Sequence, residues 1–332
     1  MVAYTQPRVI NIPLIDLTRS FSSGPAERTA VAREIGTACR DVGFFYVRNH
    51  NVPAQLIEAV FIASSGFFVR PIEEKMQCHV VKSEARRGYE PQGNQALDPD
   101  SPVDIKESFL LGIDRGPDHP LVRARTPRHG PNVWPSDVDE LRRSAETYFQ
   151  SLMSLSRHLM HLIALSLDLP EGFFDAHFSD PNVSLRLLHY APHPKDARAN
   201  QLGAGAHTDW GAITVLAQDD CGGLEVQTTA GNWVRAEPIE GAFVVNIGDL
   251  LSHWTNDLYR STPHRVLNNV SGRDRYSVAF FYDPDYHARI ECLPSCHTES
   301  NPPRYAPCSA GEHNHQMYCR SRGIPYVPVA TP

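Results

Sequence analysis

No apolar run in this chain approaches the roughly 20 residues that a membrane-spanning helix needs. Blocks of basic residues and heptad arrays are missing as well. Acidic residues outnumber basic ones, 38 to 31, for a formal charge of −7. That balance argues against a general nucleic-acid or anionic-membrane partner. The opening Met1-Val2-Ala3-Tyr4-Thr5-Gln6-Pro7-Arg8 lacks the basic-then-apolar design of a signal peptide, so the expected location is cytoplasmic. Internal repeats and low-complexity linkers are absent. The seven cysteines show no paired Cys-x-x-Cys spacing, and they read as free thiols of a reducing compartment. The C-terminal group Cys292, Cys296, His297, Cys308, His313, His315 and Cys319 has metal-ligand residue types but not that spacing. It reads as ordinary core and surface. A length of 332 residues leaves ample chain for a sizeable core, in one large or two small domains.

What is present changes character along the chain. Pro25 to Arg40 and Pro53 to Phe68 read as helices, with proline suited to the first turn of the second. The Gly-, Pro- and Asp-rich stretch 85–132 reads as loop-dominated, the kind of segment that forms substrate loops. The clearest helix starts near Ser136, a candidate cap with Asp139 three residues on. Leu141, Ala145, Tyr148, Leu152, Leu155, Leu159 and Leu162 then recur at helical spacing, a core-packing stripe. His158 and His161 on this helix read as structural or exposed, and His189 and His193 as strand and turn residues. From Val183 onward short β-rich runs alternate with turn residues: Val183–His189, Ile213–Ala217, Leu224–Gln227, Trp233–Arg235, Phe243–Ile247 and Tyr276–Tyr282. Regular short strands point to a sandwich or barrel.

Chemistry concentrates in that β-rich part. Gly205-Ala206-His207-Thr208-Asp209-Trp210-Gly211 leads into the apolar run Ala212–Leu216. Residues i and i+2 on a strand share a face, so His207 and Asp209 are expected to reach one ion. His264, in Ser261-Thr262-Pro263-His264-Arg265, lies too far on for a local metal loop and fits the return of another strand. Two imidazoles and a carboxylate can bind one face of an octahedral metal and leave the other open, as in non-haem Fe(II) oxygenases. Arg275 and Ser277 are again i and i+2, a guanidinium and a hydroxyl suited to capturing a carboxylate.

With these motifs in place the sequence resembles the Fe(II)/2-oxoglutarate-dependent dioxygenases, in the isopenicillin N synthase-like branch. The resemblance extends to Ile12-Pro13-Leu14-Ile15-Asp16-Leu17, Gly43-Phe44-Phe45-Tyr46-Val47-Arg48-Asn49-His50, Ser184-Leu185-Arg186-Leu187-Leu188-His189-Tyr190 and Gly222-Gly223-Leu224-Glu225-Val226. It implies a mainly β fold with an α/β N-terminal region and a double-stranded β-helix (jelly-roll) core supported by the long helix. The implied segments are 1–135 (α/β with substrate loops), 136–182 (supporting helix), 183–290 (catalytic core) and 291–332 (extension), together one compact unit. His207, Asp209 and His264 would bind Fe(II). Arg275, Ser277 and Tyr190 would hold the distal carboxylate of 2-oxoglutarate, with O₂ as the other co-substrate. Leu188 departs from the asparagine of many plant members.

By the same resemblance, Arg86, Arg87, Tyr89, Lys106, Phe109 and Phe281 are candidates for the substrate pocket. The adjacent Arg86 and Arg87 point to an anionic small molecule. The implied reaction is oxidation, foremost hydroxylation, with release of succinate and CO₂. In isopenicillin N synthase the same Arg-x-Ser pair grips a substrate carboxylate, so the pair predicts a carboxylate but not which one. Two alternatives therefore stand at this point: a 2-oxoglutarate-independent oxidase of a peptide-like substrate, and a non-catalytic jelly-roll that binds metal or ligand.

Overall fold

Side-chain alternation along the strands sorts the apolar residues into two layers, and the architecture follows from it. The computed structural model describes residues 12–93, 97, 103–136, 139–193 and 201–328. Twelve of its strands build two sheets: β1 (Leu14–Asp16), β2 (Phe44–Arg48), β3 (Gly88–Glu90), β4 (Glu107–Gly112), β5 (Pro181–Tyr190), β6 (Ala204–His207), β7 (Ile213–Gln218), β8 (Leu224–Gln227), β9 (Trp233–Arg235), β10 (Ala242–Ile247), β11 (His264–Val266) and β12 (Arg275–Asp285). The larger sheet runs β1-β2-β10-β7-β12-β5-β4-β3 and the smaller β6-β11-β8-β9. Apart from the parallel β1–β2 pair, both are antiparallel. Facing each other, they form the jelly-roll.

On β2, Phe45 and Val47 point to the outer layer, whereas Phe44 and Tyr46 point between the sheets. Val278 and Phe280 of β12 face outward and Ala279 inward; on β5, Leu185 and Leu187 face outward and Leu188 and Tyr190 inward. The outer layer packs on the helices Pro25–Asp41, Ala54–Phe68 and Asp139–Ser166. All seven stripe residues from Leu141 to Leu162 are buried there. Burying a large aliphatic side chain gives about 1.5–3 kcal/mol, so this helix is a major brace of the sheet that carries the site. Among the described residues, no single helix is long and apolar enough to cross a membrane.

Several local expectations change. Pro53 is the residue before the second helix rather than part of its first turn. The role of Ser136 as a cap depends on residues 137 and 138, which lie outside the described residues. The stretch expected to be loop contains β3 and β4, which extend the large sheet beyond β5. Gly88 opens the three-residue β3 and Gly112 closes β4, which hides them from pattern reading. Lastly, β6 ends at His207, so Asp209 stands in the turn between β6 and β7 rather than on the strand. Its carbonyl accepts from the Asp249 N–H at 2.8 Å, which fixes the turn.

Candidate active site

His207 and His264 are direct cross-strand partners on β6 and β11. Their ring centroids lie 4.3 Å apart. Nδ1 of His207 donates to the Gly205 carbonyl at 2.7 Å, and Nδ1 of His264 to the Thr262 carbonyl at 3.2 Å. Each ring thus keeps Nε2 as its ligand nitrogen. Both Nε2 atoms face Asp209 Oδ1, at 3.8 Å and 3.7 Å. The other carboxylate oxygen, Oδ2, is taken by Thr214 Oγ1 and by Asn246 Nδ2 at 2.7 Å. Burial and the neighbouring His264 push the His207 pKa down. Burial alone would raise the Asp209 carboxyl, but the adjoining histidines and the Asn246 and Thr214 hydrogen bonds together lower it. The three ligand atoms lie within 4.8 Å of one another. Two imidazoles and one carboxylate on one side of a point are a donor set that fits Fe(II).

From this triad a cavity runs back between the sheets to Arg275, Ser277 and Tyr190, all buried. Arg275 Nε donates to the Gly222 carbonyl and Nη1 reaches Ser277 Oγ at 3.5 Å. Lys106 lines the same cavity, ion-paired with Asp104, and burial pushes its pKa down to about 8. A second, outer cavity adjoins His207 and Asp209 and reaches the exposed Arg86. Arg186, His207, Asp209 and Phe281 line both. The paired strands β5 and β12 explain the order of groups. On one face of β5, Ser184 lines the outer cavity, Arg186 both, and Leu188 and Tyr190 the inner one; on β12, Asp283, Phe281 and then Ser277 and Arg275 repeat the sequence.

The candidate substrate residues divide. Arg86, exposed, lines the outer cavity and Phe281 both cavities, while Lys106 lies in the inner one. Arg87, Tyr89 and Phe109 line neither. Tyr89 and Phe109 are cross-strand partners that face the core around Phe67, and Tyr89 OH donates to Glu107. The alternation runs one residue out of step with the expectation: Glu90 and Leu110 are the ones that reach the outer cavity. Arg87 is buried and donates to a backbone carbonyl.

Sequence reading missed the charged wall of the outer cavity. Glu90 takes Arg186 Nη2 on one oxygen and Arg322 Nη2 on the other, each at 2.6 Å. Burial alone would raise the Glu90 carboxyl, but the two guanidiniums hold it below its usual range. Arg186 was within reach of the alternation rule, four residues before Tyr190. Asn314, Tyr318 and Arg322 come from the helix Ala310–Arg320 and the turn after it, and no local signal announces that this helix folds over the cavity.

The family description "2OG-Fe(II) oxygenase superfamily" matches residues 181–284, and "non-haem dioxygenase in morphine synthesis N-terminal" matches residues 12–137. The chain is 35% identical over 317 residues to the 2-oxoglutarate-Fe(II) type oxidoreductase hxnY of Emericella nidulans, covering 94% of this chain and 90% of that one. It is 37% identical over 308 residues to the clavatol oxidase claD of Penicillium crustosum, covering 87% and 90%. A full-length Neurospora crassa protein, crystallised in complex with alpha-KG, superposes with a TM-score of 0.84 at 31% identity, over 95% of this chain and 98% of that one. The same Neurospora protein has been solved with alpha-KG and thymine.

Proposed function

The chain belongs to the 2-oxoglutarate-Fe(II) oxygenase superfamily, and we propose that His207, Asp209 and His264 hold its iron while Arg275, Ser277 and Tyr190 hold the far carboxylate of 2-oxoglutarate. Iron, when bound, supplies O₂ activation coupled to decarboxylation of 2-oxoglutarate to succinate and CO₂. The observation that carries these assignments is the shared face of β5 and β12, along which the carboxylate-binding groups, the triad and the outer cavity follow in order.

The protein's own residues do three things. Thr214 and Asn246 engage Asp209 Oδ2, leaving Oδ1 for the metal. Arg275, fixed on the Gly222 carbonyl, orients the co-substrate from its distal end. The helix Ala310–Arg320 covers the outer cavity and helps keep water from the reacting centre. That cavity takes a small anionic organic molecule and presents a C–H bond for hydroxylation. The Neurospora crassa structure with thymine supports a substrate of that size. Relatives named for 2-oxoglutarate dependence favour this reading over a 2-oxoglutarate-independent oxidase or a non-catalytic jelly-roll. The free state of all seven cysteines supports a reducing, cytoplasmic location.

The test is turnover with Fe(II), 2-oxoglutarate and O₂ across a panel of small organic acids. Substrate-dependent succinate formation, lost in His264→Ala, is the expected result. Succinate formation unaffected by that substitution would refute the ligand assignment.

A further inference from the structure

Arg128 sits at φ 65, in the left-handed region that non-glycine residues adopt at a cost. Buried Arg87, 1% exposed, holds it there by donating Nη2 to the Arg128 carbonyl at 3.0 Å. Gly112 makes room for this clamp, since a Cβ at that position would fall 2.1 Å from Arg87 Nη2. The Arg128 side chain enters the outer cavity, where Nη2 donates to Ser184 Oγ at 3.1 Å, its one hydrogen bond among the described residues.

A guanidinium has five N–H donors, and this one is half-buried, with burial acting against its charge. Asp283 is the carboxylate that most offsets this, but its own oxygens are engaged elsewhere. Oδ1 accepts the Ala212 N–H at 3.2 Å and Oδ2 accepts Asn314 Nδ2 at 2.9 Å. Among the described residues Arg128 makes no ion pair, and the cavity lining sets four arginines against three carboxylates. Beside it stand Val80, Leu110, Trp210, Phe281 and Tyr318, a mostly apolar surround.

We infer that Arg128 anchors a carboxylate of the substrate, and that the substrate class is a small organic acid with an apolar or aromatic body. This rests on the outer cavity being the substrate site. Arg275 and Arg128 then grip carboxylates in the inner and outer cavities, one of the co-substrate and one of the substrate. Arg87 acts through Arg128 as a positioning residue.

The experiment is anaerobic calorimetry on the Fe(II) protein saturated with 2-oxoglutarate, so that the Arg275 site is filled. The probes are matched pairs: benzoate, phenylacetate and cinnamate against their amides. At least one acid binds about tenfold or more tightly than its amide, as a charge-assisted fork predicts. Arg128→Gln erases that preference, and Arg128→Lys reduces it. The proposal is overturned if no acid outbinds its amide, or if the preference survives in Arg128→Gln. Should Arg128→Gln fail to fold, an undiminished preference in Arg128→Lys overturns it instead. The visible band of the iron–keto-acid chelate, followed in the same samples, reports separately on the co-substrate assignment. Its loss would indict that assignment, whereas its persistence without acid preference would indict Arg128 alone.

Discussion

The guanidinium of Arg275 lies over the ring of Tyr190, 4.6 Å from its centroid, and the two residues are direct cross-strand partners on β12 and β5. Strand pairing, a cation–π contact and the Gly222 carbonyl together fix the fork before any ligand arrives. A carboxylate meeting it loses little to reorganisation. Arg275→Ala should therefore raise the dissociation constant of 2-oxoglutarate about 10- to 100-fold, the worth of a hydrogen-bonded charge at about 1.5–3 kcal/mol. Iron affinity should stay unchanged. Calorimetry with each ligand in turn checks both halves.

The Asn246 amide orients the metal-facing carboxylate without touching the metal position. Asn246→Ala removes one of the two donors on Asp209 Oδ2 and should weaken Fe(II) binding about 10- to 100-fold. The 2-oxoglutarate anchor should remain intact. Competition against a metal chelator measures the loss, and wild-type affinity in the variant would show that Thr214 alone suffices.

How much of this could be read from the chain depends on how locally each contact is written. The stripe from Leu141 to Leu162 needs only helical spacing, and it packs as expected. His207, Asp209, His264, Arg275, Ser277 and Tyr190 stand in short motifs, and they converge on one cavity. Tyr89 and Phe109 face the core rather than the cavity, because a one-residue shift in alternation exchanges the two. Arg128 and Arg322 were invisible for a different reason. Each reaches the cavity only because a loop or a C-terminal turn folds over strands distant in sequence.

A partly buried network around His189 should give stability a pH signature. His189 donates Nδ1 to Glu107 Oε1 at 2.6 Å and Nε2 to Asp274 Oδ1 at 2.8 Å. Burial acts against the charged ring, but these two carboxylates overcome it and raise its pKa. A raised histidine pKa adds stability that is complete below the ordinary value of 6.5 and is lost as pH rises through the folded value. Glu107, lowered against the cost of burial by His189, Lys75 and Tyr89, adds stability above 4.5 that is lost on acidification. His189→Gln should therefore be destabilised by about 1–3 kcal/mol near pH 5.5, and the deficit should shrink toward pH 9. Denaturant titrations of both proteins at the two pH values would reveal the trend.

Gly248 allows the turn carrying Asp209 to come close. A Cβ there would lie 2.3 Å from the Gly211 carbonyl oxygen and 3.0 Å from that of Asp209, both backbone atoms. Gly248→Ala must move that turn, so thermal stability and Fe(II) affinity should fall together. An alanine variant with both at wild-type levels would contradict the tight packing described.

The most direct test of the central claim is an anaerobic titration of the Fe(II)-loaded protein with 2-oxoglutarate, followed by visible absorption. The account predicts a saturable charge-transfer band in the wild type, a band requiring much more 2-oxoglutarate in Arg275→Ala, and none in His264→Ala. Iron bound without any band at saturating 2-oxoglutarate, or identical titrations for wild type and Arg275→Ala, would contradict it.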